Sequence, residues 1–273
     1  YRWCRRRRIP FVAYVGTAHS LDSNFKSKVM NALFAAGTLR IYKKNPVLAK
    51  TSAAKEELRQ LGVPHAVIAP VGLDTAVLKK NIPADEKMRL RKEHGFEADD
   101  VILCNVSRLS WEKRPLELID LFLQVKGKKK FKLIIVGNGP LEEELNEKIR
   151  KNGLEKEVKI YPNVPYEKMW EIYEMSDYYL NMNKGEIFGM AIMEAVYYKT
   201  SVAAIRALGP SVTLKDMKGH KLCENDDEMA EWITGPYPSE KDLQESSEKM
   251  AATFTWDRCA DAFLQASSEK SSR

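Results

Sequence analysis

The sequence YYLNMNKGEIFGMAIMEAVYY, residues 178–198, contains the change of pattern that decides the fold. An apolar run typical of a strand, Tyr178 to Leu180, is followed by a polar turn that contains glycine and then by an apolar segment of helical character. Glu186 lies in this strand-to-helix connection, and Glu194 lies about two helical turns further on. In a parallel sheet such connections meet at the carboxyl edge, where ligands bind. We therefore expect both carboxylates to face one cleft.

The alternative is that these two glutamates are solvated surface charges, which is the usual situation at helical spacing. However, Glu194 lies between Met193 and Ala195 in a segment with no further charge before Lys199. A carboxylate inside an apolar helix needs a hydrogen-bonding partner. A ligand hydroxyl is one such partner, so the apolar context favours a binding role.

Strands and helices alternate on both sides of this stretch. The strands are nearly continuous apolar runs, which is typical of a parallel sheet covered on both faces, so the predicted fold class is α/β. A helix over 25–37 is expected to end at its glycine. The predicted strands are 9–15, 47–50, 66–71, 101–106, 132–136, 158–161, 178–181 and 201–205, and the other predicted helices are 53–61, 85–94, 114–126, 141–152, 166–175, 190–198 and 226–233.

Composition excludes several classes of protein. The 273 residues are 44% hydrophobic and 30% charged, and they contain no apolar run long enough to span a bilayer. The four cysteines are scattered without a CxxC pair, which argues against a disulfide framework or a zinc site and favours a cytoplasmic location. Five arginines in the first eight residues account for most of the net charge of +6. The remainder is nearly neutral, so a nucleic-acid-binding surface is not expected.

The arginine cluster, Arg2 with Arg5, Arg6, Arg7 and Arg8, is a separate feature. Near an anionic membrane surface each cation contributes roughly 1 kcal/mol of attraction. Two interpretations stay open: peripheral contact with anionic lipid headgroups, and a solvated segment that leads into a strand. The cluster has no long apolar core of the kind found in a signal peptide.

Two other strand-end loops carry groups suited to a diphosphate. The first is SRLSWEKRP, residues 107–115, in which Arg108 offers a planar fork and Lys113 a compact charge to phosphate oxygens. Pro115 suits the first turn of a helix. The second is the turn Gly137-Asn138-Gly139-Pro140, where backbone can approach a ligand closely. Taken singly, each loop is equally consistent with an ordinary surface connection.

In this chain order the motifs resemble the retaining glycosyltransferases of family 4, which have the two-domain GT-B architecture. The resemblance covers about residues 9–265, and the combination of motifs is specific although each motif alone is not. The matching elements are the strand-Arg-x4-Lys segment at 106–113, IVGNGP at 135–140, the Glu-x7-Glu segment that contains Phe188-Gly189, VIAPVGLD at 67–74, and FTWD at 254–257.

The resemblance implies a role for each charged motif. Arg108 and Lys113 would hold the donor diphosphate and stabilise the negative charge that grows on it as the glycosidic bond breaks, without a metal. Glu194 would bind the ribose hydroxyls, and Glu186 would face the sugar. The donor would be a UDP- or GDP-sugar that enters as a substrate, so no permanently bound cofactor is expected.

Backbone contacts are implied as well. Amides at the helix amino terminus, 188–190, would reach the sugar or the diphosphate. The turn at 137–140 would approach the donor, and the segment 161–165 would contact the base. The expected donor-binding residues are Arg108, Lys113, Gly137, Asn138, Asn163, Val164, Phe188, Gly189, Met190 and Glu194.

The implied catalytic residues are Glu186, Arg108, Lys113 and His19. His19 lies in GTAHS, residues 16–20, where these enzymes often carry a histidine near the reacting sugar. A structural loop histidine is the alternative. One departure concerns residues 206–211, RALGPS, where the family often has paired glycines followed by a glutamate.

The predicted organisation is an incomplete amino-terminal Rossmann-like domain over 1–80, a Rossmann-like nucleotide-sugar-binding domain over 81–250, and a returning helix with a tail over 251–273. Two hypotheses follow. In the first, the chain is a retaining glycosyltransferase that acts on a glycan, lipid-linked or other acceptor hydroxyl. In the second, it is a donor-binding half that is inactive until a partner chain supplies the acceptor domain. An epimerase or phosphorylase of the same architecture is a weaker third possibility.

Overall fold

The computed structural model describes residues 1–16, 25–78, 82–83 and 85–268. The chain divides into two compact units, one of Tyr1–Leu73 with Phe254–Arg273 and the other of Asp74–Thr253. Within the described ranges, no helix combines the length and the apolar character needed to cross a bilayer.

The described elements follow in chain order. They are α1 (Arg2–Arg6), β1 (Ala13–Val15), α2 (Phe25–Tyr42), β2 (Val47–Ala49), α3 (Ser52–Gln60), β3 (Val67–Ile68), α4 (Glu86–Glu93), β4 (Val101–Val106), α5 (Pro115–Val125), β5 (Phe131–Val136), α6 (Glu142–Lys151), β6 (Val158–Tyr161), α7 (Met169–Met175), β7 (Tyr178–Asn181), α8 (Met190–Tyr197), β8 (Ser201–Ile205), α9 (Leu208–Thr213), β9 (Lys221–Cys223), α10 (Asp226–Thr234), α11 (Glu240–Thr253) and α12 (Trp256–Ser268).

The second unit is built on a parallel sheet of six strands in the order β6-β5-β4-β7-β8-β9. The chain adds β5 and β6 on one side of β4, and then β7, β8 and β9 on the other. Strand order therefore reverses between β4 and β7. In open parallel sheets the carboxyl ends of the strands at such a reversal form the ligand-binding crevice.

Helices pack on both faces of this sheet because its strands are apolar on both faces. Strands β7 and β8 are buried along their whole length. One continuous core cluster includes Leu103 on β4, Phe122 on α5 and Tyr178 on β7. This double coverage is what a parallel sheet requires, and it confirms the predicted α/β class.

The first unit has a parallel sheet of three strands in the order β1-β2-β3. Helix α12 belongs to this unit, and Cys259 and Ala262 on it pack in one cluster with Leu48 and Ala69. Gly72 permits a close approach, since a Cβ atom there would lie 2.2 Å from the backbone nitrogen of Trp256.

Three of the predicted boundaries are wrong. The strand predicted over 66–71 is limited to Val67–Ile68. Helix α2 does not end at Gly37 but continues to Tyr42. Glycine costs a helix interior only about 1 kcal/mol relative to alanine, and neighbouring turns outweigh that cost. The first strand begins at Ala13 and not at Ile9. Pro10 cannot donate a ladder hydrogen bond, which is consistent with the shorter strand. Elements α1, α9, β9 and α11 were not predicted from the sequence.

Candidate functional site

The candidate site lies at the reversal of strand order in the second unit. The loop after β4 contains a 3-10 turn, Trp111–Lys113, and leads directly into α5. The loop after β7 leads into α8, whose amino-terminal cap is Gly189. Both loops leave the carboxyl ends of neighbouring strands. Their side chains therefore meet at the crevice.

Lys113 and Glu186 form an ion pair across this crevice. The Nζ atom of Lys113 donates to Oε2 of Glu186 at 2.9 Å, and Nδ2 of Asn183 donates to the same oxygen at 3.1 Å. The lysine side chain is 26% exposed and the glutamate side chain 16%. The structure thus brings together two of the predicted catalytic residues.

The pKa of Glu186 is set by opposing effects. Burial raises the pKa, but the hydrogen bond and charge of Lys113, helped by Asn183 and Asn181, lower it by more, and the net pKa lies below the ordinary value. Glu186 is therefore a carboxylate at neutral pH. Its negative charge is held inside the crevice together with one cation.

Two asparagines that the sequence analysis did not select shape the Glu186 loop. The side-chain oxygen of Asn181 accepts from the backbone nitrogen of Asn183 at 2.9 Å, and that of Asn183 accepts from Gly185 at 2.9 Å. Such side-chain to backbone bonds stabilise tight turns. The available signal for this turn was the pair of asparagines at the end of a buried strand, with Gly185 two residues beyond the second.

Arg114 was also missed, and it fixes the end of the turn that carries Lys113. Its backbone is left-handed, with φ of 56°. Its guanidinium binds the Asp226 carboxylate with two bonds, at 3.0 and 2.7 Å. This pair joins the β4 loop to the start of α10. A bidentate pair restricts geometry more than a single bond does.

Arg108, by contrast, extends into solvent. Its side chain is 70% exposed, and its Nη2 atom lies 3.8 Å from Oε1 of Glu112. Among the described residues, no hydrogen bond or ion pair joins Arg108 to Glu186. Of the two predicted diphosphate cations, Lys113 is therefore held in the crevice and Arg108 is free to reorient.

Glu194 lies on α8 and is 8% exposed. Its Oε2 atom accepts a hydrogen bond from the hydroxyl of Tyr173 at 2.7 Å. Burial raises the pKa of Glu194, and the hydrogen bond of Tyr173 and a weaker one of Tyr166 offset part of that rise. The sequence predicted that a ligand hydroxyl would satisfy this carboxylate. In the structure the Tyr173 hydroxyl, a group of the protein itself, is the hydrogen-bonding partner.

The two glutamates both raise the pKa of Tyr179, whose side chain is buried. Burial raises the pKa of the Tyr179 hydroxyl most, and the charges of Glu186 and Glu194 raise it further. The Tyr179 hydroxyl donates to the backbone oxygen of Val106 at 3.3 Å. Strand β7 thus carries a hydroxyl that feels the charges of both carboxylates and stays protonated.

The glycine turn at 137–140 packs against the β4 loop. At Gly137, φ is +138° and a Cβ atom would lie 2.0 Å from the backbone oxygen of Ser107. The backbone nitrogen of Leu109 donates to the oxygen of Asn138 at 2.8 Å, and Nδ2 of Asn138 donates to the oxygen of Pro162 at 3.0 Å. The close approach that glycine permits here is thus between loops of the protein. The turn ties together the loops after β4, β5 and β6.

The amino terminus of α8 is held by a second close approach. The backbone nitrogen of Gly209 donates to the oxygen of Glu186 at 2.8 Å, and a Cβ atom at Gly209 would lie 2.5 Å from the nitrogen of Phe188. No side chain of the described residues caps this helix end. The first amides of a helix lack intrahelical partners and carry partial positive charge. The start of α8 at Met190 therefore presents backbone donors, and the contact of segment 188–190 with an anion stays a prediction.

The remaining predicted residues are placed as follows. Asn163 is exposed and Val164 half-buried, and both lie in the loop after β6. Met190 begins α8 and is 37% exposed. His19 lies outside the described residues.

Comparisons with known proteins concern the family and the fold of the chain. A protein-family model, described as glycosyl transferases group 1, matches residues 86–250. The chain is 26% identical, over an alignment of 288 residues, to the D-inositol 3-phosphate glycosyltransferase of Mycobacterium avium (strain 104). That alignment covers 93% of this chain and 63% of the relative. The chain thus spans less than two thirds of the length of this curated relative.

Two solved structures have a similar fold. One is Anabaena Alr3699/HepE in complex with UDP and glucose, with a TM-score of 0.78 and 19% identity over 99% of this chain and 73% of that one. The other is sucrose-phosphate synthase of Thermosynechococcus elongatus, with a TM-score of 0.77 and 16% identity over 97% of this chain and 69% of that one. Together with the family model they confirm the predicted GT-B type of α/β fold.

Proposed function

The chain belongs to the glycosyl transferases group 1 family, and we propose that it transfers a sugar from a nucleoside diphosphate sugar to an acceptor hydroxyl with retention of anomeric configuration. The observation that carries this proposal is the Lys113–Glu186 pair at the reversal of strand order. A cation and a carboxylate held side by side there match the two charges that develop when a glycosidic bond to a diphosphate breaks.

Lys113 and the amides at the start of α8 stabilise the departing diphosphate. An amino-terminal helix end and a lysine both favour anions, and both are fixed before the donor binds. Arg108, which extends into solvent, turns inward to a phosphate oxygen. Lys113 and the α8 amides, unlike Arg108, are preorganised and need no rearrangement as charge grows on the leaving group.

Glu186 faces the sugar. It stays ionised because Lys113 and the two asparagines outweigh the effect of burial on its pKa. A carboxylate beside the anomeric carbon stabilises the positive charge of an oxocarbenium-like transition state. Retention follows from attack on the face from which the diphosphate leaves, and His19 contacts the sugar in this scheme.

The remaining donor contacts are assigned by position. Glu194 binds the ribose hydroxyls, and the backbone at Asn163 and Val164 contacts the base, with Gly137 and Asn138 near the diphosphate. UDP is the favoured nucleotide because Alr3699/HepE, the structural neighbour described above, is bound to UDP and glucose. The acceptor is a glycan or lipid-linked hydroxyl, and the enzyme works in the cytoplasm without a metal.

Peripheral membrane contact through Arg5, Arg6, Arg7 and Arg8 belongs to the same proposal. These four side chains are exposed, and Arg7 lies over the ring of Trp3, 4.7 Å from its centroid. Co-sedimentation with vesicles of anionic lipid tests this contact. Neutralising the four arginines should abolish co-sedimentation of the protein with the vesicles. Unchanged co-sedimentation would show that these arginines do not bind the membrane.

A second candidate function is donor binding without turnover until a partner chain supplies the acceptor side. The observation that favours it is that the chain spans 63% of the relative described above. Release of UDP from UDP-glucose distinguishes the two functions. Turnover by the isolated chain supports the transferase, whereas tight binding without turnover supports the donor-binding module.

The test of the site uses a matched pair of lysines. Lys148 is 26% exposed, like Lys113, and lies 2.7 Å from a carboxylate oxygen of Asp120 on the helical surface. UDP, GDP and ADP are titrated into wild type, Lys113→Ala and Lys148→Ala, and the midpoint of thermal unfolding is followed. We expect a nucleotide to raise the wild-type midpoint, Lys113→Ala to lose that effect and Lys148→Ala to keep it. Equal responses from the two variants would refute the assigned site.

A further inference from the structure

Two tyrosines, Tyr166 and Tyr173, line the small cavity beside the Glu194 carboxylate, and they differ in how firmly they are held. Tyr173, on α7, is 1% exposed, and its ring is stacked on that of Tyr198 with centroids 5.9 Å apart and an angle of 9°. Its hydroxyl donates to Oε2 of Glu194 at 2.7 Å. The core around Tyr173 fixes this donor. Tyr173 has no space into which it could swing.

Tyr166 is the mobile member of the pair. It is 49% exposed and begins the 3-10 turn Tyr166–Lys168 that precedes α7. Its hydroxyl lowers the pKa of Glu194 less than that of Tyr173 does. Of the two tyrosines, only Tyr173 makes a close hydrogen bond to this carboxylate. A half-exposed side chain on a short turn can adopt another rotamer at small cost. The Tyr166 hydroxyl can therefore leave the carboxylate.

The space next to Glu194 is small. A cavity of about 10 Å³ lies among Tyr166, Tyr173 and Glu194, with Val77 and Trp170 also in its wall. That volume is about what one water molecule requires. Since Glu194 itself is 8% exposed, a ribose ring can reach its carboxylate only if a lining side chain moves away.

We propose that Tyr166 occupies the position on Glu194 that a ribose hydroxyl of the donor takes, and that it turns outward when the nucleotide binds. Tyr173 is the positioning residue that holds the carboxylate during this exchange. This inference rests on the proposed function, because it takes Glu194 as the ribose-binding group. It adds a residue that sets nucleotide affinity and that no sequence motif indicated.

The exchange puts a ribose hydroxyl in the place beside Glu194 that the Tyr166 side chain fills in the free protein. The hydrogen bond from Tyr173 stays in place, so the buried carboxylate keeps a partner in both states. The free protein, however, must give up the Tyr166 contact before the ribose can bind. Only molecules in which Tyr166 has already turned outward can bind the ribose. The observed affinity is therefore the intrinsic affinity multiplied by the fraction of such molecules.

The test measures the dissociation constant of UDP by calorimetry with the full chain. Tyr166→Phe keeps the ring but removes the competing hydroxyl, and we expect it to bind UDP about two- to tenfold more tightly than wild type, the range of one net hydrogen bond. Tyr237→Phe is the matched control. Tyr237 is 45% exposed, and its hydroxyl donates at 3.2 Å to the backbone oxygen of Asp177, at the opposite end of β7 from the site. It should leave UDP affinity unchanged.

Binding of deoxynucleotides shows whether Tyr173 orients the Glu194 carboxylate or only stabilises the fold. If Glu194 binds ribose, wild type should bind 2′-deoxy-UDP or 3′-deoxy-UDP more weakly than UDP. Tyr173→Phe should reduce this discrimination, because the carboxylate loses the donor that orients it. Its thermal unfolding without nucleotide is measured in parallel. A lower unfolding temperature with unchanged discrimination would make Tyr173 merely structural and would overturn its part in the proposal.

The outcomes separate this inference from the function on which it rests. If none of UDP, GDP and ADP binds wild type, or if Glu194→Gln binds UDP and the deoxynucleotides as wild type does, the proposed donor site fails and the inference fails with it. If Glu194→Gln loses discrimination but Tyr166→Phe binds UDP no more tightly than wild type, the donor site stands and Tyr166 does not compete. If Tyr166→Phe binds UDP more tightly and Glu194→Gln no longer discriminates between UDP and the deoxynucleotides, the results support both the donor site and the competition by Tyr166.

Discussion

The Nζ atom of Lys113 lies 2.9 Å from Oε2 of Glu186, although the two residues are separated by 73 positions in the sequence. They follow β4 and β7, which are neighbours in the sheet but not in the chain. The reversal of strand order between these two strands is what brings the residues together. The pair is therefore a product of topology, and its charges are available to a ligand that enters the crevice.

Glu186→Gln should tighten UDP binding. The amide keeps the shape of the side chain but removes the negative charge that now neutralises Lys113, so the lysine can give its full charge to a phosphate. We expect the dissociation constant of UDP to fall about two- to tenfold, the range of one net hydrogen bond, in calorimetry. The matched control is Asp120→Asn, which removes the carboxylate partner of Lys148 and should leave UDP affinity unchanged. Weaker binding by Glu186→Gln would mean that the carboxylate contacts the nucleotide directly.

Gly137→Ala should destabilise the second unit strongly. The new Cβ atom would lie 2.0 Å from the backbone oxygen of Ser107, and φ of +138° is unfavourable for any L side chain. A backbone clash of this kind costs on the order of 3 kcal/mol of unfolding free energy, which urea denaturation measures. Gly127→Ala is the control, because a Cβ atom there meets nothing within 4 Å. Equal stability of the two variants would show that the β4 loop can move away from the added methyl group at little cost in free energy.

Arg114→Ala should loosen the turn that presents Lys113. The change removes a bidentate bond to Asp226 from a guanidinium that is 15% exposed, and it leaves the Asp226 carboxylate, 35% exposed, without that partner. We expect a loss of roughly 1 to 3 kcal/mol of unfolding free energy together with weaker UDP binding. Arg59→Ala is the control, since Arg59 pairs with Glu56 on an exposed helical face and should change neither quantity. Wild-type UDP affinity in Arg114→Ala would show that the pair does not position Lys113.

The sequence predicted secondary-structure elements better than it predicted contacts between residues far apart in the chain. Strands 158–161, 178–181 and 201–205 have the predicted bounds because each is an apolar run flanked by polar turns, and both signals are local. Helix α11 was missed because most of its residues are polar and its buried face is narrow. The glutamates were predicted, but the Tyr173 hydroxyl on Glu194 was not, since that bond joins two helices that no spacing rule relates.

Contacts of long sequence separation explain the other omissions in the site. Arg114 and Asp226 are 112 positions apart, and each alone is an ordinary charged residue near a helix start. The glycine turn at 137–140 was expected to let backbone approach a ligand, and in the structure Gly137 lets it approach the β4 loop. However, the sequence could not show that the group approached is the backbone of Ser107, because that contact depends on the pairing of β4 with β5.

Glu194→Gln should change the pH dependence of stability in a defined direction. Burial raises the pKa of Glu194 above its ordinary value, and Tyr173 and Tyr166 offset only part of this rise. Between the unfolded and the folded pKa the native state binds more protons than the unfolded state, so this residue makes stability fall as pH rises through that window. Glutamine keeps an oxygen that can accept from Tyr173 but cannot ionise. We expect the unfolding midpoint of Glu194→Gln, relative to wild type, to be higher at pH 7 than at pH 4. A relative midpoint that falls as pH rises would mean that the charged carboxylate stabilises the fold, and that its protein partners compensate burial completely.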